Sequence, residues 1–347
     1  MNKVLRLARA RRLLMALAVL SVSALVVAAC GSDDGDSGSD TTDSGAEETL
    51  EIAYLSFAVA NSYDAPMLAA AESVASENNA NVTVFDANND PATQFSQMQD
   101  ALQTGKFDGI ITQPISSTNL IPLVEEALAD GVAVANIDQT LGPDLDTAEK
   151  QVEGLTVNVS FVPDEIGTKL GGLTVEACTA SNLDPCNVGY LFSIKASALD
   201  AAVRSAFDAA IADSPSIKVV AEGESFFTPA LGLAATQDML QGNPDLNLIV
   251  GADQSIQGAQ EALGEKSKVV LVGYGGSALG TNAVAAGTWF GDVAQVPATE
   301  GREGMSMLID AIRTGADQPA VNSLEGLPGD GIITEDNASE FNPEWPG

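Results

Sequence analysis

No histidine occurs anywhere in the 347 residues. That excludes imidazole general bases, Ser-His-Asp and Cys-His nucleophile systems, and most zinc sites. Basic residues are scarce, 15 Lys and Arg against 48 Asp and Glu, for a formal charge of −33. A surface of that sign repels DNA, RNA and anionic lipid, and it favours solubility. Aromatics are few as well: 2 Trp, 4 Tyr and 11 Phe. Only three cysteines are present, Cys30, Cys178 and Cys186. Beyond residue 29 there is no long apolar run, so the remainder is expected to fold in water rather than in a bilayer.

One apolar run does exist, and its surroundings explain it. Leu13 to Ala29 carries no charge and follows a basic head with Lys3, Arg6, Arg9, Arg11 and Arg12. Basic head, apolar middle and small residues at the end are the order of an export signal. The junction Val27-Ala28-Ala29-Cys30 resembles a bacterial lipobox, which implies cleavage before Cys30 and lipidation of its thiol. The alternatives are an ordinary signal peptide with a chance cysteine, an uncleaved anchor, or twin-arginine export through Arg11-Arg12. Residues 30–48 are small, polar and acidic, and cannot bury apolar surface, so they read as a disordered tether. Its root-mean-square reach is roughly 20–25 Å. Without residues 1–29, ten basic residues face 48 acidic ones, a formal charge of −38. In an exported chain the eight-residue separation of Cys178 and Cys186 favours a disulfide over two free buried thiols.

From residue 50 onward, short β-branched runs alternate with longer helix-like runs. Strands are expected at 50–57, 81–87, 108–113 and 132–138, with helices at 65–78, 91–104 and 117–130 between them. Asp64 is expected to cap the first helix and Asp90-Pro91 to start the second. After an irregular stretch at 141–153 the alternation restarts. Strands fall at 154–160, 187–193, 216–222, 246–252, 268–274 and 288–295. The helices between and after them fall at 164–179, 198–213, 229–241, 255–264, 278–286 and 298–314. Short connections of this kind give parallel, doubly wound sheets, here in two copies.

Ligands of open α/β sheets bind beyond the carboxyl ends of the strands. Those ends offer Asn61, Tyr63, Asp64, Gln113, Asp138 and Gln139 in the first half. The second half offers Lys195, Phe227, Asp253, Tyr274 and Gln295. Aromatic rings cover C–H faces while carboxylates and amides bond hydroxyls, a combination suited to a small polyol. Taken singly, an Asp or Asn there is a turn former or helix cap and a ring is core; the signal is their convergence. The stretch GYGGSALG (273–280) mimics a dinucleotide fingerprint, but it lacks the G-x-G-x-x-G spacing and sits late in the second half.

Three stretches then resemble one family. IAYLSFAVANSYDAPMLAAAESVA (52–75), DGIITQPISSTNLIPLVEEALADGVAVANID (108–138) and VVLVGYGGSALGTNAVAAGTWFGDVAQVPATEGREGM (269–305) are similar to periplasmic-binding-protein-type sugar receptors of ribose-binding type. The resemblance implies two α/β lobes joined by a multi-strand hinge, the type I periplasmic-binding-protein fold. Asp138, Phe227, Tyr274 and Gln295 match the family's ligand positions. Gln139 stands where a basic residue is usual, Ala201 near an arginine position, and Gly275 where an aspartate is usual. The cationic clamps are therefore missing.

The combined expectation is a lipid-anchored, extracytoplasmic solute-binding protein of an ABC importer. Residues 49–160 with 298–322 form one lobe, and 161–295 with 326–347 the other. Crossovers lie near 158–163, 294–298 and 323–328. The expected partners are a small sugar or polyol and a membrane permease. No cofactor, metal, nucleic acid or catalytic step is called for, and the chain is read as a monomer. The rivals are a sensory receptor subunit of the same fold, a binder of a nucleoside or a cationic amine, an enzyme using paired carboxylates, and a transcription factor of the related repressor fold. The last lacks a helix-turn-helix head and has the wrong charge.

Overall fold

The computed structural model describes residues 48–265 and 267–347. The expected export signal, Cys30 and the tether as far as residue 47 lie outside the described residues. Among the described residues no helix is long and apolar enough to cross a membrane.

The first run of elements is β1 (Leu50–Ser56), α1 (Asp64–Glu77), β2 (Ala80–Asp86), α2 (Pro91–Thr104), β3 (Gly109–Thr112), α3 (Ile121–Ala129), β4 (Ala133–Asp138) and β5 (Val157–Ser160). The second is α4 (Pro163–Ala180), β6 (Cys186–Phe192), α5 (Ala198–Ile211), β7 (Ile217–Glu224), α6 (Pro229–Gly242), β8 (Leu248–Ala252), α7 (Asp253–Leu263), β9 (Val270–Gly275), α8 (Ala278–Ala285) and β10 (Gly291–Ala294). The chain closes with α9 (Pro297–Thr314), β11 (Ala320–Asn322) and β12 (Ile332–Ile333).

Two six-stranded sheets result. One has the order β11-β5-β4-β3-β1-β2 and the other β12-β10-β9-β8-β6-β7. Every pairing is parallel except that of β10 with β12. The central strands are buried on both faces, which is why GIIT in β3 and LIVGA in β8 read as unbroken apolar or small runs. Edge strand β2 is only partly covered and carries polar residues. On the first sheet, Met67, Leu68, Met305 and Leu308 of α1 and α9 fill one face, and Met98, Leu123 and Val124 of α2 and α3 fill the other. The second sheet is likewise sandwiched, by α4 and α5 on one side and by α6, α7 and α8 on the other. Each lobe is thus a three-layer α/β/α unit.

The chain passes between the sheets three times: after β5, after β10 and after β11. The second passage delivers α9 back onto the first sheet, against α1 and β4. Helices α9 and α1 approach so closely that a Cβ on Gly301 would lie 2.1 Å from the Met67 carbonyl oxygen. Only glycine fits that crossing.

Element boundaries differ from expectation in three informative places. Asp64 is the first helical residue of α1 and not its cap; Tyr63 precedes it without a side-chain capping bond. Helix α3 begins at Ile121 rather than at residue 117, with Pro122 in its first turn. Strands β11 and β12, of three and two residues, are not among the expected strands, because runs that short carry no periodicity.

Cys178 and Cys186 are joined by a disulfide between the end of α4 and the start of β6. A loop of this size is worth about 2.5 kcal/mol in the chain-entropy account. Reduction is therefore expected to lower Tm by several degrees while leaving the far-UV circular dichroism at 25 °C intact. An unchanged melting curve in dithiothreitol would show that the bridge adds no stability.

Candidate functional site

The carboxyl ends of the two sheets face a narrow interlobe cavity of about 50 Å3. The first lobe contributes Phe57, Asn61, Tyr63, Asp64, Gln113, Asp138 and Gln139; from beyond β5 come Phe161, Phe227, Gln254, Tyr274 and Gln295. A wider, open depression of about 460 Å3 lies between β7 and α6, lined by Glu222, Glu224, Leu231 and Asp238 among others. It touches one lobe only and has no aromatic wall, so closure of the lobes cannot engage a ligand there.

Asp138 is the centre of the site. It ends β4 with φ at +67°, a left-handed conformation unusual for a residue with a side chain. Its Oδ1 accepts from the Tyr63 hydroxyl at 3.1 Å, and its Oδ2 accepts from Gln113 Nε2 at 3.0 Å. Gln113 Nε2 also donates to Asp64 Oδ1 at 2.5 Å, and Gln113 Oε1 accepts from the Phe57 amide at 3.1 Å. Both amide hydrogens of Gln113 are thereby committed. Gln113 lines the cavity, but its work is to hold two carboxylates side by side. Asn61 sets the entry to α1, its Oδ1 accepting from the Tyr63 amide at 2.8 Å.

Behind Asp138 stands Glu300, in the first turn of α9, fully buried. Its Oε1 accepts from the Ser323 hydroxyl in the third interlobe passage, and its Oε2 meets no ordinary donor. Burial and the Asp138 charge push Glu300 well above the usual carboxylate range. Burial lifts Asp138 as well, to about 6, opposed by the hydrogen bonds from Gln113 and Tyr63. Asp64 is raised by burial and by the neighbouring Asp138 charge.

The second lobe supplies mainly walls. At the end of β7, Phe226 and Phe227 are both left-handed, with φ of +49° and +51°. That double turn leaves Phe226 52% exposed and brings Phe227 to the cavity. Tyr274 is buried, its hydroxyl 3.3 Å from the Ser193 hydroxyl. Gln295 and Gln254 are buried amides on the same side.

One expected ligand residue is displaced. Asp253 does not line the cavity; Gln254 does. Asp253 opens α7 and turns inward, its Oδ2 accepting from the Ser277 amide at 2.8 Å. Asp292 stands beside it, and burial and the Asp253 charge push its carboxyl well above the usual carboxylate range. Lys195 is not at the cavity either; its Nζ bonds Glu222 at 2.6 Å on the surface. No lysine or arginine lines the cavity, whose charged groups are Asp64 and Asp138.

Sequence reasoning missed Phe57, Phe161, Gln254, Glu300 and Trp345. The first three lie within a few residues of strand ends already singled out. Glu300 and Trp345 had no local signal.

A family model described as a periplasmic binding protein domain matches residues 52–317. The D-allose-binding periplasmic protein of Escherichia coli (strain K12) is 28% identical over 233 residues, 63% of this chain and 70% of that protein. The ribose import binding protein RbsB of Bacillus subtilis (strain 168) is 27% identical over 201 residues, 56% of this chain and 60% of that protein. Among solved structures, an ABC transporter solute-binding protein from Mycobacterium smegmatis with bound glycerol superposes with a TM-score of 0.73 at 22% identity, covering 86% of this chain and 100% of the other. The Caulobacter myo-inositol binding protein bound to myo-inositol gives 0.69 at 20% identity, covering 86% and 97%. At these identities the structural likeness shows the fold.

Proposed function

The chain belongs to the periplasmic binding protein domain family, and on that premise we propose that it is the solute-binding component of an ABC importer, taking a small neutral sugar or polyol. The observation that carries this reading is the cavity itself. Tyr63, Phe227 and Tyr274 offer flat faces, and Asp138 with Gln139, Gln254 and Gln295 offers hydroxyl partners, from both lobes at once. Ligand touches both sets only when the lobes are closed, so binding favours closure. No bond is made or broken in this scheme. We take residues 49–160 with 298–322 as one moving lobe and 161–295 with 326–347 as the other. The absent cationic clamps argue against sugar acids and phosphates.

The test is a thermal-shift screen with D-allose, D-ribose and myo-inositol. A bound solute at a hundred times its Kd should stabilise the protein by about 2.7 kcal/mol. Calorimetry at low and high salt follows. Affinity for a neutral solute should barely change with salt. The second reading, a cationic amine, is favoured by Asp64 and Asp138 standing in the cavity without a basic partner. Its affinity should fall as salt screens the attraction. If amines shift the melting temperature and none of the three polyols does, the sugar reading is wrong.

We further place the protein on the outer face of the membrane as a monomer, anchored through lipid on Cys30 and presenting its lobes to a permease. The support is the Val27-Ala28-Ala29-Cys30 junction and the acidic stretch behind it. Stable anchoring takes two or more acyl chains. Labelled palmitate is expected to enter the wild-type protein and not Cys30→Ser, which should appear in the medium or remain uncleaved. A wild-type protein that takes up no label removes the anchor from the scheme.

A further inference from the structure

Position 275 ends β9 at the cavity, where a side chain would contact ligand, yet it is a glycine. Its φ of +145° is one that residues with side chains rarely adopt, and a Cβ there would stand 2.9 Å from Cγ of Asp253 and 2.8 Å from Cζ2 of Trp345, 70 residues further along the chain. On the cavity side the indole occupies the space beside this glycine. Its Nε1 donates to the Gly275 carbonyl at 2.7 Å, and the ring is only 3% exposed. The Trp345 and Pro346 carbonyls accept from the amides of Ala278 and Leu279 at 2.9 and 3.1 Å, pinning the segment to the start of α8.

The same segment reaches the other lobe. The Trp345 ring meets Tyr63 edge to face, 5.3 Å between centroids at 79°. Glu344 accepts from the Thr299 amide at 2.8 Å at the start of α9. Trp345 thus borders the cavity beside the Tyr63 that bonds Asp138, while being hydrogen-bonded to the second lobe.

We propose that Trp345 is a specificity-determining residue of the solute site: its indole takes the place of the missing side chain at 275, presents an apolar ring face to the solute, and ties the two lobes together across Tyr63. This rests on the sugar-or-polyol reading above. A ring at this place covers a C–H face of the solute, whereas a carboxylate there would bond a hydroxyl pair. The solute is then one whose carbon face, and not a pair of hydroxyls, points at β9.

The experiment separates this claim from the functional reading. Affinities for D-allose, D-ribose and myo-inositol are measured by calorimetry on the unaltered protein, Trp345→Ala and Trp345→Phe. For whichever probe binds best, we expect a loss of about tenfold or more on Trp345→Ala and partial recovery on Trp345→Phe, with both variants melting cooperatively. Unchanged affinity in Trp345→Ala overturns the proposal; tighter affinity makes the indole a plug and overturns it too. A second measurement needs no solute. The chain has two tryptophans, so Trp289→Phe leaves Trp345 as the only one. Its emission should be weakly quenched by acrylamide. Should Trp289→Phe fold poorly, the difference between unaltered protein and Trp345→Phe reports the same emission. Quenching like that of free indole overturns the placement even if no probe binds, whereas the absence of binding by all three probes counts against the sugar reading alone.

Discussion

Asp138→Ala is expected to weaken binding of the cognate sugar or polyol by about ten- to a hundredfold. A charged acceptor bonded to hydroxyls in a closed cleft contributes roughly 1.5–3 kcal/mol, and each 1.4 kcal/mol is a factor of ten in Kd. Asp138 is prepared for that role before ligand arrives. Tyr63 and Gln113 fix its two oxygens. The loss should fall on affinity and not on folding, because the substitution also removes a carboxylate that is costly to bury. Isothermal titration calorimetry beside a thermal melt separates the two. A Kd within threefold of wild type, in a folded variant, would remove Asp138 from the centre of the site.

Acidification from pH 8 to pH 5 is expected to stabilise the ligand-free protein strongly. Asp64, Asp138, Glu300, Asp253 and Asp292 all hold their protons more tightly in the fold than an ordinary carboxyl does, burial being the largest cause in each. The sign follows directly. Between the ordinary carboxylate value near 4 and the raised values in the fold, the folded protein binds more protons than the unfolded chain. Stability therefore falls as pH rises through that window and returns on acidification. Each retained proton is worth about 1.4 kcal/mol per pH unit. Glu300 and Asp292, both raised well above the ordinary carboxylate range, contribute to that slope. Mutual repulsion of the exposed acids acts in the same direction, so the variants decide. Glu300→Gln and Asp292→Asn should each flatten the dependence of Tm on pH. A Tm that is level or falls towards pH 5 contradicts the raised proton affinity of these buried carboxyls.

Much of this molecule was legible along the chain, because the information was local. Alternation of β-branched runs with helical runs gives parallel sheets whatever the rest of the chain does, since short connections leave the chain no other way to bury both faces of each strand. The carboxyl ends of those strands then had to form the site. Tyr63, Asp138, Phe227, Tyr274 and Gln295 were found on that ground, and all five border the cavity.

Tertiary structure decided the rest. At the start of α7, a rotation of one residue about the helix axis sends Asp253 inward to Ser277 and Asp292 and gives the cavity to Gln254. Sequence cannot resolve adjacent residues at a helix entry, where the backbone changes direction. Gln113 appeared as a ligand group, but only the fold shows its amide spent on Asp64 and Asp138. Glu300 and Trp345 come from segments far along the chain, which return to the first lobe and to the cleft after two and three passages between sheets. Periodicity describes what neighbours in sequence do. It says nothing of which distant side chain will fill the space that Gly275 leaves open, because that is settled by the close packing of the two lobes.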